Sequence, residues 1–376
     1  VQTKDYYFYK GACEVLLEKC QKYLSLSGNE EKFISKSFIQ SMVNSYTSKG
    51  YRVLVNAYGK NKDDLVFINI IVIADTLRPE AKPSLDLIKN AGIKTIMITG
   101  DAKETAVSIG KELGLYNDKS IALTHNELSV LTDEQIINLY PNLCIIARAL
   151  PQDKSRLVSI LQSYKLVVGM TGDGVNDALA LKKSDVGFAL GSGSEVAKDA
   201  SDIVILDNNI SSICKAILYG RTIFKSIRKF IIYQLTVNVC ALILSIIGVL
   251  LGISTPITII QMLWLNMIMD TFAGLAFSYE PPLKEYLNVK PKTKDEVILN
   301  KYMFNQIIVN GTYCAIICLL FLKLPIIRHF IRNSEGDKFL YTAYFALFIF
   351  MGICNSFASR THRLNIFAHI LQNKVF

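Results

Sequence analysis

Hydrophobic and polar positions along the 376 residues follow two patterns, and the change between them falls near residues 221–229. Before it, short β-branched apolar runs at 71–75, 95–99, 144–147, 166–170, 186–190 and 203–207 alternate with stretches of helical spacing. Strands apolar along their whole length, with helices between them, predict a parallel sheet covered on both faces, with its working groups at the carboxyl ends of the strands. The expectation is a doubly wound α/β domain over 66–215. The first 65 or so residues differ again, with a strand and helix through 6–20 and a strand at 52–57.

After residue 229 the pattern becomes continuously apolar. Residues 230–251, 302–322 and 339–357 carry no charge, and 257–277 carries only Asp270. Each stretch is long enough to cross a hydrocarbon layer of about 30 Å at about 1.5 Å per residue, so four spanning helices are predicted. Arg221, Lys225, Arg228 and Lys229 precede the first, and Lys284, Lys290, Lys292, Lys294 and Lys301 lie between the second and third. Positive flanks of this kind read as cytoplasmic. Arg328, Arg332 and Lys338, between the third and fourth, oppose the rule, but alternation of spans assigns that link to the outside.

Composition agrees. Half the chain is apolar (51%), and a mean hydropathy of +0.31 is too high for an ordinary soluble domain, so lipid is the expected partner. The net charge of +9 is dispersed, without the basic, aromatic-interleaved face that nucleic acid requires. The eight cysteines form no C-x-x-C pair and read as reduced packing residues. The start at Val1 has neither a basic nor an apolar leader region, so no signal peptide is expected and the start reads as a cut.

Candidate chemistry sits at strand ends. Thr171-Gly-Asp-Gly-Val-Asn-Asp177 follows the run 166–170 and sets two carboxylates four residues apart on a turn that glycines allow, an oxygen site suited to Mg²⁺ beside a phosphate. Thr99-Gly-Asp101 ends another run; it suits a helix N-cap and equally a phosphate, because both use the free backbone N–H groups there. Lys154, after Pro151-Gln-Asp, is placed to neutralise a phosphoryl oxygen. Together they form a phosphoryl-transfer constellation that lacks one part. The nucleophile should be an aspartate that becomes an acyl phosphate, and no D-K-T-G-T-like segment occurs in the chain. In the membrane region, Asn266 and Asp270 share one helix face, and with Asn238 they supply oxygens of the kind Ca²⁺ prefers; helix–helix polar contacts are the other reading.

Lys10-Gly-Ala12, Asp75-x-x-Arg78-Pro-Glu80, Met97-Ile-Thr-Gly-Asp101, the 171–177 segment and Gln261-Met-Leu-Trp-Leu-Asn-Met-Ile-Met-Asp270 follow one another as in the P-type cation ATPases of the calcium-transporting group, which the chain resembles from residue 1 to 376. Glu280-Pro-Pro282 makes it most similar to the plasma-membrane branch. The resemblance implies the carboxyl-terminal part of a nucleotide-binding domain (1–65), a haloacid-dehalogenase-like phosphorylation domain (66–215), a membrane domain (216–358) and a cytoplasmic connection (359–376). It implies ATP as substrate, Mg²⁺ as cofactor and Ca²⁺ as the transported ion, moved out of the cytosol through an aspartyl phosphate.

The roles it implies are specific. Lys10 would line the adenine pocket, Arg52 would reach the ATP phosphates and Arg148 would also face the nucleotide. Thr99, Gly100 and Asp101 would hold the γ-phosphate, Lys154 would pair with it and Asn176 would hydrogen-bond it. Asp173 and Asp177 would position Mg²⁺, and Asp75 would order the phosphorylated site. Asn238, Asn266 and Asp270 would bind a single Ca²⁺, its shell completed by a Glu and backbone carbonyls of an earlier broken helix that this chain does not contain, because the further ligands of two-site pumps fall at Ala241, Met269 and Gly352, which offer no side-chain oxygen; Asn355 is assigned to packing. Leu179 stands where the family usually has Pro, a change of small local effect since Leu is the better helix former. The membrane implied is the plasma membrane or a vacuolar or other endomembrane, and calmodulin control would lie in a tail beyond Phe376. Two alternatives stay open: a pump for another cation, and a non-catalytic membrane fragment, since the polypeptide by itself is expected to hydrolyse nothing.

Overall fold

The computed structural model describes residues 6–47, 51–61, 64–73, 77–253, 256–331, 337–361, 365, 367 and 369–375. The chain forms two compact units, Val1–Cys214 with Lys290–Lys294, and Lys215–Val289 with Asp295–Phe376.

The first unit opens with β1 (Tyr7–Gly11), α1 (Cys13–Lys19), β2 (Cys20–Leu24), β3 (Glu30–Lys32), α2 (Ser37–Thr47), β4 (Arg52–Asn61) and β5 (Asp64–Ile73). The strands form one sheet in the order β1-β4-β5-β2-β3, closed by the tight β4–β5 hairpin at Asn61↔Asp64. Leu16, Leu17, Cys20, Val43, Val55 and Leu65 fill the core between this sheet and its two helices. Here one expectation is corrected. The apolar run at 71–75 is no strand of the parallel sheet: its described residues 71–73 end β5, where Ile73 pairs antiparallel with Arg52. An apolar run marks a buried strand but not its partner, and the hairpin decided the partner. Asp75 lies outside the described residues.

The rest of the unit alternates strand and helix: α3 (Ala81–Asn90), β6 (Met97–Ile98), α4 (Lys103–Glu112), β7 (Ile121–Thr124), α5 (His125–Ser129), α6 (Asp133–Leu139), β8 (Leu143–Ala147), α7 (Pro151–Ser163), β9 (Gly169–Gly172), α8 (Ala178–Lys183), β10 (Val186–Leu190), α9 (Glu195–Asp199) and β11 (Ile203–Ile205). All strand pairs among β6–β11 are parallel, as the pattern requires. They form two sheets of three strands, β6-β8-β7 and β11-β10-β9, rather than the single sheet expected. Each has its own core, Leu143, Ile146, Leu157 and Ile160 in one and Met170, Ala180, Leu181 and Ala197 in the other. Strand β7 was not anticipated, because its four residues are too short a run to stand out.

The second unit contains α10 (Ile210–Leu250) from Lys215 onward, α11 (Ile259–Ser278), α12 (Lys301–Lys323), α13 (Pro325–Phe330) and α14 (Lys338–Arg360). Four of these, α10, α11, α12 and α14, are long and apolar enough to cross a membrane, at the four predicted places. Helix α10 starts twenty residues ahead of the predicted span, because the polar stretch before it is also helical. Its basic residues are fastened to the following connection. Arg221 donates to the carbonyls of Tyr286, Leu287 and Val289 at 2.7–3.0 Å, Lys225 lies 3.8 Å from the centre of the Tyr286 ring, and Arg228 bonds Glu296 at 3.0 Å. Gly311 lets α12 approach α10 closely, since a Cβ there would sit 2.8 Å from Val239 Cγ1 and 3.1 Å from the Thr236 carbonyl.

Glu280, just past α11, is the hub of a buried ionic cluster. Its carboxylate takes Lys229 at 2.7 Å, Arg360 at 2.7 Å and the Asn373 amide at 3.2 Å, and the Arg360 side chain is only 1% exposed. Asn373 also donates to the Ala276 carbonyl at 2.9 Å, so the segment after α14 is tied down at this point. Burial by itself raises the Glu280 pKa, but Lys229, Arg360 and Asn373 outweigh it and hold the carboxyl below the usual carboxylate range. A lowered folded-state pKa means that this stabilisation is complete above the unfolded pKa and is lost as pH falls through the folded one. Glu280→Gln removes the carboxylate shared by the buried Arg360 and the half-buried Lys229, at an expected cost of about 3–5 kcal/mol. In detergent, thermal unfolding of the variant should show a lowered midpoint at neutral pH and a smaller further loss on acidification than the parent; equal midpoints at pH 7 would refute the role.

Candidate phosphoryl-transfer and cation sites

The first site is assembled from three strand ends. After β6, Thr99 Oγ1 donates to Asp101 Oδ2 at 2.8 Å and accepts from the Asp101 N–H at 3.1 Å, closing the Thr99-Gly100-Asp101 turn on itself. The segment after β8 clamps this turn through its backbone: Arg148 N–H donates to the Asp101 carbonyl and Ala149 N–H to the Thr99 carbonyl, both at 2.9 Å. Arg148 adopts φ 48° to make that bond, the left-handed region, which costs a non-glycine residue of order 1 kcal/mol. Two bases for phosphate contact result, the held hydroxyl and the first turn of α4, whose N-cap has no side-chain hydrogen bond.

Helix α7 starts two residues later and carries Lys154 in its first turn. Pro151 opens it, and Asp153, only 5% exposed, accepts from the Leu150 N–H and meets His125 Nδ1, each at 2.8 Å. Lys154 reaches from there to the segment after β9, where its ammonium bonds Asp177 Oδ1 at 2.6 Å. Asp177 is buried, and its other oxygen accepts from the N–H groups of Asp173 (3.2 Å) and Gly174 (3.3 Å). Glycine is obligatory at 172, since a Cβ there would lie 2.5 Å from the Cβ of Asp177. The loop after β10 approaches the other side, with Ser194 N–H on the Asp173 carbonyl at 2.8 Å. The carboxylate of Asp173 and the amide of Asn176 are left exposed at the rim.

The structure therefore brings Thr99, Gly100, Asp101, Arg148, Lys154, Asp173, Asn176 and Asp177 to the carboxyl ends of β6, β8 and β9. It gives the two aspartates different environments. Asp177 is committed to a lysine and two amides, so it shapes the turn, whereas Asp173 faces outward. Lys10 and Arg52 belong instead to the five-stranded sheet, Lys10 exposed on β1 opposite Asn56 and Arg52 at the start of β4; the side chain of Arg52 is outside the described residues. Leu179 is exposed on α8 and disturbs nothing.

In the second unit, α10 and α11 run antiparallel in a fixed register. Phe230 lies against Gly274, Gln234 donates to the Asp270 carboxylate, and Pro256 lies against Gly248. Each step of four residues along α10 is matched by four back along α11, so Asn238 and Asn266 fall at the same level of the two helices. Asp270 and Asn238 are half-buried and Asn266 is exposed; neither asparagine makes a side-chain hydrogen bond among the described residues. Asn355 is buried and donates to the Tyr233 carbonyl at 3.4 Å. Met269 packs on Gly352, where a Cβ would meet its methyl at 2.9 Å, and Ala241 is in the apolar core.

Comparison with known proteins decides the family. Residues 254–376 match the C-terminus of cation transporting ATPases, and residues 20–185 and 156–217 match haloacid dehalogenase-like hydrolases. The chain is 34% identical over 98% of its length to a probable calcium-transporting ATPase 8, plasma membrane-type, of Oryza sativa subsp. japonica. It has the same identity over the same share to calcium-transporting ATPase PAT1 of Dictyostelium discoideum and to plasma membrane calcium-transporting ATPase 4 of Homo sapiens. The chain belongs to the P-type cation ATPases. It spans 38%, 37% and 33% of the length of those three relatives.

In this P-type ATPase chain, sequence reasoning missed three groups that matter. Asp153, at the third position of a proline-led helix, carries a capping signal that could have been read. Gln234 and Glu280 gave no such signal, since a polar residue in or beside an apolar run does not name its partner.

Proposed function

We propose that the complete protein is a calcium pump that uses ATP to move Ca²⁺ out of the cytosol through an aspartyl phosphate, one ion per cycle. The observation that carries this is the joining of three strand-end segments around Lys154 and Asp177, in a chain that also holds an intramembrane carboxylate at Asp270. The nucleophilic aspartate belongs to a part of the protein outside this sequence. β6 and β9 offer it a place: each is the outermost strand of its sheet among the described residues, and each carries motif residues at its carboxyl end. A strand between them would deliver its carboxylate to the Thr99 and Asp173 turns.

The chemistry follows from those groups. The carboxylate oxygen attacks the γ-phosphorus, the bond to the β-phosphate oxygen breaks and ADP leaves; water later cleaves the acyl phosphate and regenerates the carboxylate. Thr99 and the free N–H groups at α4 bind the transferred phosphoryl oxygens, Lys154 supplies a positive charge and Asn176 a neutral donor. The exposed Asp173 carboxylate on its glycine turn suits a hard cation, so Mg²⁺ fits here, with Asp177 acting behind it. When bound, the metal neutralises charge on the phosphates. Lys10, Arg52 and Arg148 are assigned to nucleotide binding.

For the cargo, Asn238, Asn266 and Asp270 supply oxygens from two facing helices. One ion per cycle is supported by the packing of Met269 on Gly352 and of Ala241 in the core, which fills the space where further ligands would stand. The protein is an integral membrane protein, assigned to the plasma membrane or a vacuolar or other endomembrane with its large domains cytoplasmic. In sealed inside-out vesicles bearing the complete protein, ATP is expected to drive accumulation of labelled calcium that a calcium ionophore releases. Vesicles whose phosphoenzyme forms from ATP in response to another cation, and not to calcium, would refute the assignment.

A further inference from the structure

The Gln234–Asp270 contact leaves one atom unexplained. The amide nitrogen of Gln234 donates to Asp270 Oδ2, but its carbonyl oxygen is buried and has no hydrogen-bond partner among the described residues. A buried, unpaired amide oxygen is costly, and such atoms persist where a function retains them. The side chain stands on the face of α10 that carries Asn238 one turn further on, and it meets Asp270, one turn from Asn266 on α11.

We propose that Gln234 is a further ligand of the transported ion, its carbonyl oxygen coordinating Ca²⁺ beside the Asp270 carboxylate; this rests on the calcium-pump reading above. Rotation about the terminal torsion of the side chain exchanges nitrogen for oxygen, so the group that donates to Asp270 here accepts a cation in the same place. Ca²⁺ takes six to eight oxygens, at about 2.3–2.6 Å, in flexible geometry, a shell that can admit a further neutral oxygen beside one carboxylate and two asparagines. A glutamine adds an oxygen without adding charge. Mg²⁺, which demands octahedral geometry at about 2.0–2.1 Å and gives up water reluctantly, gains little from such a long neutral arm.

The test uses membranes bearing the complete protein, and reads phosphoenzyme formation from ATP against free calcium, together with phosphorylation from inorganic phosphate in calcium chelator. Gln234→Met keeps the length of the side chain and removes its oxygen. The calcium concentration for half-maximal phosphorylation is expected to rise about tenfold or more, with phosphorylation from inorganic phosphate at the parent level. Gln234→Leu carries the same expectation if the methionine variant does not accumulate. An unchanged or lowered midpoint overturns the proposal; a lowered one is the result if the amide only occupies Asp270 and competes with the ion. Asp270→Asn, measured alongside, keeps the two ideas apart. Normal calcium activation in that variant sinks the calcium site as a whole, whereas its loss beside an unchanged Gln234→Met removes Gln234 alone.

Discussion

Asp270→Asn in the complete protein is expected to abolish calcium-dependent phosphorylation from ATP at micromolar calcium. Asp270 is the only charged residue of α11, and a carboxylate inside an apolar span persists where it faces a partner or an ion. It does not face outward: Gln234 on α10 holds it. The asparagine keeps the shape and one oxygen but removes the negative charge, and calcium affinity depends strongly on ligand charge. The calcium required for half-maximal phosphorylation should rise at least about 10²-fold, beyond what an assay at micromolar calcium reaches. Phosphorylation from inorganic phosphate should persist, because the strand-end site lies in the other unit of the chain. Calcium activation at the parent concentration would remove Asp270 from the site.

Asp173→Asn should act on the other half of the cycle. Asp173 is the exposed carboxylate of the glycine turn, and its backbone is fixed by Asp177 through its N–H and by Ser194 through its carbonyl. Because those contacts are made by the main chain, the substitution leaves the turn intact and removes only the charge offered to a cation beside phosphate. The rate of phosphoenzyme formation from ATP and Mg²⁺ should fall about 10²–10³-fold, the usual effect of losing one charge-stabilising group in such a site. The calcium midpoint should stay where it was. A normal rate would take the Mg²⁺ role away from Asp173. Asp177→Asn would be a poorer probe, since it also strips Lys154 of its buried partner.

Much of the fold was legible because the relevant signals are local. Four apolar stretches gave four membrane-length helices, and β-branched runs located β6, β8, β9, β10 and β11 to within a few residues. Failures came where a residue's partner lay far along the chain. The run at 71–75 was a sound strand assigned to the wrong sheet, since only its register with β4 distinguishes a hairpin from a crossover. The parallel strands were found, but their division into two sheets was not, because hydrophobicity does not record which edges pair.

The candidate sites divide in the same way. Motif spacing placed Thr99, Asp173 and Asp177 at strand ends and Lys154 on the helix that follows one, and it gave Asp173 and Asp177 one shared task. Burial gave them two, binding Asp177 to Lys154 and two amides while leaving Asp173 at the surface. In the membrane, spacing put Asn266 and Asp270 on one face, but Gln234 became visible only when the antiparallel register set it against the carboxylate.

For this protein the sequence by itself determined which residues carry charge and oxygen, which stretches are apolar enough for lipid, and where the chain turns, all of them properties of a residue and its near neighbours. Only the tertiary structure decided that Glu280 gathers Lys229, Arg360 and Asn373 and that Gln234 meets Asp270. Desolvation and pairing depend on atoms brought together across dozens of residues, and it is these that set the energy of a buried charge.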